Sequence, residues 1–126
     1  MTKVAVGIIR KDGMFLLCQR KRGGRYELKW EFPGGKVEPN ESIEDCLRRE
    51  LREELSIDDL VLGDAEVHSA FYEDGGLFEV YYYPVLEFTG DLKNNVFEQI
   101  RWVSLEELKT LDILEGNKEI VHRLKQ

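Results

Sequence analysis

Gly35–Ile57 reads GKVEPNESIEDCLRRELREELSI, and the fold turns on its second half. Ser42-Ile43-Glu44-Asp45 has the form of a capping box, with Asp where Glu or Gln usually stands, and predicts a helix from Ile43 to Leu55. At about 100° per residue, with Glu50 at zero, Ile43, Cys46, Leu47, Leu51 and Leu55 fall on one arc from about -40° to +140°. Glu50 and Glu54 fall inside that arc, and Glu53 lies just outside its edge. Asp45, Arg48, Arg49 and Arg52 take the opposite side.

An acidic run ordinarily marks a solvated helix face, and such a face belongs opposite the leucines. Here two carboxylates point where the apolar residues point. A buried, unpaired carboxylate is costly enough to shift its pKa or to recruit a partner. Glu50 and Glu54 are also like charges one helical turn apart, unfavourable even in water. Arg49 can reach Glu53, and Asp45 can engage Arg49, which leaves Glu50 and Glu54 short of positive charge. A hard divalent cation such as Mg2+, which takes oxygen ligands and keeps positions open for water and phosphate, resolves the conflict. A salt-bridged surface helix is the alternative.

The rest of the chain reads as a mixture of strands and helices without regular βαβ alternation. Val4–Arg10 and Met14–Arg20 predict a hairpin across Lys11-Asp12-Gly13. Lys21–Arg25 is a basic, glycine-rich loop, and Pro33-Gly34-Gly35 is a strong breaker. Asp64–Tyr72, Gly76–Phe88 and Phe97–Val103 predict further strands, with Pro84 marking the second as an edge strand or a bulge. Ser104 opens a short helix, and Asn117–Lys125 a last one. The expected class is α+β: an α/β/α sandwich with a mixed sheet between helices. No linker or repeat breaks the 126 residues, so one domain over 1–126 is expected.

Composition narrows the partners. The net charge of -7 disfavours a nucleic-acid polymer, whose affinity comes largely from Lys and Arg. It still allows an anionic small molecule bridged by a metal cation. No apolar run is long enough to span a membrane, and the first residues are too short and weakly flanked for a signal peptide, so a cytoplasmic location is expected. Cys18 and Cys46 lie in no metal or disulfide pattern and read as buried thiols. His68 and His122 are isolated and are not expected to be ligands. A monomer and a homodimer both remain open.

The quoted stretch resembles the signature of the Nudix hydrolases, G-x5-E-x7-R-E-U-x-E-E-x-G-U with U aliphatic. Gly35, Glu41, Arg49-Glu50-Leu51, Glu53-Glu54 and Ile57 take their places in it, and only Ser56 departs, standing for a glycine. The match covers about a fifth of the chain. EFPGGKVE, VAVGIIR and IRWVSLEEL extend the likeness toward the MutT-type branch. Ser56 is not a ligand position in the family; it costs about 1 kcal/mol if it must adopt the left-handed conformation.

The resemblance implies a pyrophosphohydrolase acting on a nucleoside diphosphate linked to another group. It implies Mg2+, with Mn2+ able to take its place, held by Glu50, Glu53 and Glu54, by the Gly34 carbonyl and by Glu98. The spacing of Glu98 to Trp102 differs from the MutT pattern by about two residues. Glu53 or Glu50 would serve as base toward the attacking water, with Arg49 in the catalytic group. Glu41, with Arg49, would orient the acids, and Gly35 would support them. By the same likeness Arg20 would bind phosphate and Asn117 would read the purine edge. The alternatives are a strand-end surface arginine and a helix N-cap. Phe32 and Phe78 would line the base pocket or belong to the core. The implied substrate is a nucleoside triphosphate, an oxidised purine such as 8-oxo-dGTP first, released as monophosphate and pyrophosphate in a mutation-avoidance, DNA-repair role. Pyrimidine triphosphates (CTP or dCTP), another nucleoside diphosphate derivative, and a non-catalytic nucleotide sensor are the alternatives.

Overall fold

The computed structural model describes residues 1–126. Strand β1 (Thr2–Lys11) turns through Asp12 and Gly13, both at positive φ, into β2 (Met14–Gln19), as the two-residue turn chemistry requires. Then follow β3 (Trp30–Glu31), β4 (Gly34–Lys36), α1 (Ile43–Leu55), β5 (Asp58–Leu62), β6 (Glu66–Tyr72), β7 (Gly76–Thr89), β8 (Gln99–Val103), α2 (Leu105–Leu108) and α3 (Lys118–Arg123). A 3-10 turn, Glu115–Asn117, leads into α3.

β1 and β7 run parallel at the centre of an eight-stranded mixed sheet, and every other pairing between strands is antiparallel. On its other edge β1 forks. Val4–Val6 pair with β4, and Arg10 and Lys11 pair with β2. At the fork Gly7 N–H donates to the Pro33 carbonyl at 2.9 Å, which delivers Pro33–Gly35 to the flank of α1.

Strand alternation divides the core into two layers. Ala5, Ile9, Leu16 and Cys18 face α1 and pack on Leu47, Leu51 and Leu55. Val6, Ile8, Phe15, Leu17, Val80 and Tyr82 face the opposite way and pack with Leu108, Ile120 and Val121. Helices thus cover both faces, the α/β/α arrangement expected. Each fully buried leucine of α1 contributes roughly 1.5–3 kcal/mol relative to exposure.

Helix α1 begins and ends where its sequence places it. Ser42 Oγ accepts the Asp45 N–H at 3.0 Å. Among the side-chain bonds, only this forward half of the capping box forms; Asp45 is one methylene shorter than Glu. At the C-terminus Ser56 adopts the left-handed conformation (φ 60°, ψ 33°).

Three of the fold expectations are corrected. Pro84 lies not on an edge strand but on central β7, at the handover where β6 stops at Glu66 and β5 resumes at Leu62; the alternative of a bulge fits better, since the register slips beside it between the Val61–Glu87 and Leu62–Val85 pairs. Its carbonyl accepts from Gly63 N–H, so its missing donor faces that gap, where no ladder bond is lost. β8 starts at Gln99 rather than Phe97, because the Asn94 side chain bonds both backbone groups of Phe97 at 2.8 and 2.9 Å. The terminal helix is a 3-10 turn followed by a short α-helix ending at Arg123. The short strands β3, β4 and β5 were not expected: they give no period to read, and β4 begins within the Pro-Gly-Gly breaker itself.

Candidate active site

The site is built where α1 meets the β1 fork. Gly34 N–H donates to Glu54 Oε1 at 3.1 Å, tying the turn to the last helical turn. A side chain on Gly34 would collide with the Ala5 carbonyl. A Cβ on Gly35 would come within 2.6 Å of both Glu50 carboxylate oxygens. Gly34 is therefore required by close approach of backbone, whereas Gly35 makes room for an acid that a larger residue would push aside.

Arg49 organises the neighbouring acids. Its Nε and Nη2 donate to the two oxygens of Glu41 at 2.7 and 3.0 Å, a bidentate pair, and its Nη1 donates to Glu50 Oε1 at 2.8 Å. The same Nη1 stands 3.5 Å from Glu53. Arg49 is thus half-buried against this cluster rather than solvated, and its partners are Glu38, Glu41, Glu50 and Glu53, not Asp45. Glu50 obtains the positive charge the helical projection denied it. Glu54 obtains only an N–H.

The electrostatics follow from that difference. Arg49 and the Glu38 backbone hold the Glu41 carboxyl down at about 2. Burial raises Glu50, against the pull of Arg49. Burial first, then the charges of Glu50 and Glu31, push Glu54 up to about 9. Glu53 is 59% exposed at the rim.

The donors here are carboxylate and carbonyl oxygens, the set a hard divalent cation takes. Glu50 and Glu54 share a buried corner that Gly35 keeps open, so these residues fit such an ion. No three His, Cys, Asp or Glu side chains are gathered into a ready ligand shell, because Arg49 occupies Glu50 and Glu54 is turned to Gly34.

A cleft of about 470 Å³ opens beside this corner, and Arg20, Phe32, Gly34, Gly35, Glu54, Phe78 and Asn117 all line it. Arg20 is no free strand-end arginine. Its Nη1 donates to Glu31 Oε2 at 3.0 Å, and its Nε to the Arg25 carbonyl at 2.9 Å. Phe32 is a core residue that also lines the cleft; Phe78 packs on Tyr72 at a centroid distance of 5.1 Å. Asn117 stands at the N-cap position of α3 but makes no side-chain capping bond. It is buried, with Oδ1 accepting from Phe32 N–H at 3.2 Å and Nδ2 donating to the Tyr82 hydroxyl at 3.0 Å.

Glu98 lies outside the cluster. It precedes β8 instead of lying on a strand, it is exposed, and its carboxylate accepts the Arg22 N–H at 3.3 Å. Among the cleft residues that were not anticipated, three bear most on its chemistry. Glu31 is a half-buried acid whose pKa is raised by desolvation against the pull of Arg20. Tyr72 lines the wall, and Tyr26 sits on the loop opposite. Glu31 stood in view within EFPGG, but a two-residue strand offers no alternation that tells inward from outward. Both cysteines are free and buried, as expected.

The family model described as the NUDIX domain matches residues 1–124. The chain is 38% identical over 107 residues to a CTP pyrophosphohydrolase of Escherichia coli (strain K12), covering 85% of this chain and 78% of that protein. It is 34% identical over 125 residues to an 8-oxo-dGTP diphosphatase of Haemophilus influenzae, covering 97% and 90%. The crystal structure of a MutT protein from Methanosarcina mazei Go1 superimposes with a TM-score of 0.84 at 28% identity, over 97% of this chain and 91% of that one. The chain belongs to the NUDIX family and is a Nudix hydrolase of the MutT-like branch.

Proposed function

We propose that this enzyme is a Mg2+-dependent nucleoside triphosphate pyrophosphohydrolase that releases a nucleoside monophosphate and pyrophosphate, with an oxidised purine such as 8-oxo-dGTP as its preferred substrate. The observation that carries the proposal is the Glu50–Glu54 corner. Two acids are held against the leucine face of α1, and the one with no cationic partner lines a cleft of nucleotide size. The names of the relatives support a triphosphate substrate, and Nudix hydrolases generally use divalent metal ions.

In this proposal Glu50, Glu53, Glu54 and the Gly34 carbonyl hold the cation, and Glu98 joins them only by a movement of its loop. When bound, the cation neutralises charge on the phosphate oxygens, which is most of what phosphoanhydride hydrolysis demands. Glu53, at the exposed rim, takes the proton of the attacking water, with Glu50 as the other acid in reach. Arg49, braced by Glu41, holds Glu50 in place. Arg20 leaves Glu31 to meet phosphate. Asn117 meets the base edge, and Phe32 and Phe78 flank the ring.

The test is a pyrophosphate-release screen with Mg2+ over normal and oxidised nucleoside triphosphates. The proposal expects 8-oxo-dGTP to exceed dGTP in kcat/KM; equal values remove the oxidised-purine assignment. The identity to a CTP pyrophosphohydrolase favours CTP or dCTP as the second reading, and the same screen ranks them.

A further inference from the structure

The Tyr82 hydroxyl has one proton to give. It gives that proton to the Gly116 carbonyl at 2.9 Å, so toward Asn117 it can only accept, and it takes Nδ2–H at 3.0 Å. On the other side the Phe32 N–H can only donate, and it meets Asn117 Oδ1 at 3.2 Å. A donor and an acceptor, each with no alternative role, thus bracket the carboxamide and define which end is oxygen and which is nitrogen. Tyr82 itself is closely packed: it is 1% exposed, sits in the core and has His68 edge-on at a ring distance of 5.3 Å. Burial pushes its pKa upward, so the hydroxyl keeps its proton.

A carboxamide has two N–H groups and two carbonyl lone pairs. One of each is spent on Tyr82 and Phe32, and one of each remains on a side chain that lines the cleft. Base edges differ in order. Keto bases such as guanine and 8-oxoguanine set an acceptor beside an N–H, whereas adenine and cytosine set an amino donor beside a bare nitrogen. With the base anchored through its triphosphate, an amide that cannot turn over accepts only one order.

We propose that Tyr82 is a positioning residue for base selection: by fixing the orientation of the Asn117 carboxamide it makes the enzyme discriminate keto from amino bases. The proposal rests on the reading of Asn117 as the group that meets the base. Tyr82 touches no substrate; it acts through Asn117.

The test is Tyr82→Phe in the full chain, assayed with Mg2+ on 8-oxo-dGTP, dGTP, dATP and dCTP. Phe keeps the ring and removes the acceptor. The kcat/KM ratio of the best keto nucleotide to the amino nucleotides is expected to fall about ten-fold, through KM, with kcat on the best substrate nearly unchanged. Asn117→Ala should abolish the ratio, and adding Tyr82→Phe to it should change nothing further. In the wild type the Asn117 amide proton bonded to Tyr82 should exchange slowly by NMR, and in Tyr82→Phe it should exchange fast. An unchanged ratio, or an equal loss of kcat on all four nucleotides, overturns the proposal. So does fast exchange of that bonded amide proton in the wild type, which decides the matter even if Tyr82→Phe folds poorly. Turnover of triphosphates without any keto–amino preference overturns it and leaves the hydrolase function standing. No turnover of any triphosphate overturns both.

Discussion

Glu54 is joined to Gly34 by one hydrogen bond of 3.1 Å, and that N–H is its only protein hydrogen-bond donor. The last acid of α1 is therefore held in a place that disfavours its charge, with its pKa pushed up to about 9 by burial and by Glu50 and Glu31. An unfolded chain releases that proton near the ordinary glutamate value of about 4.3. Between those limits the folded state holds a proton the unfolded state has lost, so metal-free stability falls as pH rises, by at most about 1.4 kcal/mol per pH unit from this group. Glu54→Gln removes that slope. Thermal melts without metal should show the variant more stable than wild type at pH 8 and the two converging toward pH 4. Saturating Mg2+ should raise the melting temperature of wild type more than that of Glu54→Gln, because a ligand that binds only the folded state stabilises it.

Glu53 sits at the rim, 59% exposed, and contacts Arg49 only at 3.5 Å. Glu53→Gln should leave stability within about 0.5 kcal/mol of wild type, as for most surface changes. If Glu53 is the base, kcat should drop by about 10²–10⁴-fold. Steady-state pyrophosphate release together with a urea melt separates the two effects. Unchanged turnover would remove Glu53 from the chemistry.

Arg49 joins Glu41 and Glu50 through a planar fork. Lysine keeps the charge and loses the fork. Arg49→Lys should therefore raise the Mg2+ concentration needed for half-maximal activity by about 10–100-fold, the usual effect of losing a group that orients metal ligands. Glu41→Gln should shift it in the same direction and by less, since an amide still accepts one bond from Arg49.

Ser56 ends α1 with φ at 60°, a conformation that costs a side-chain-bearing residue about 1 kcal/mol. Ser56→Gly relieves this strain and gives up the 2.9 Å bond from Asn95 to Ser56 Oγ; Asn95 Nδ2 still reaches the Glu53 carbonyl at 3.0 Å. Chemical denaturation should show a net gain of about 0.5 kcal/mol. Activity with Mg2+ should not change.

What the sequence disclosed was whatever carries a period or a cap. Helix α1 declared its own bounds, through Ser42 at one end and the leucine spacing throughout, and the same spacing put Glu50 and Glu54 on the buried side. The β1–β2 hairpin was equally legible, from Asp12-Gly13. What stayed hidden depends on contacts between distant segments. Arg49 belongs by helical angle to the solvent side, yet a long side chain can reach around to Glu41 and Glu50. Asn117 had the right identity and place for a cap, and only the packing of Tyr82 and Phe32 against it turns its amide inward. Glu31 and Pro84 owe their roles to strand neighbours that no local pattern names.

Whether the acids of α1 hold a divalent cation can be seen in crystals of the wild type soaked in Mn2+ and recorded at the manganese absorption edge. An anomalous peak is expected in the corner between Gly34, Glu50 and Glu54, with Glu53 drawn toward it, and its loss in Glu50→Gln. Full Mn2+ exposure with no peak there, and with Glu50 still bonded to Arg49 and Glu54 to Gly34, would mean that these acids hold no metal.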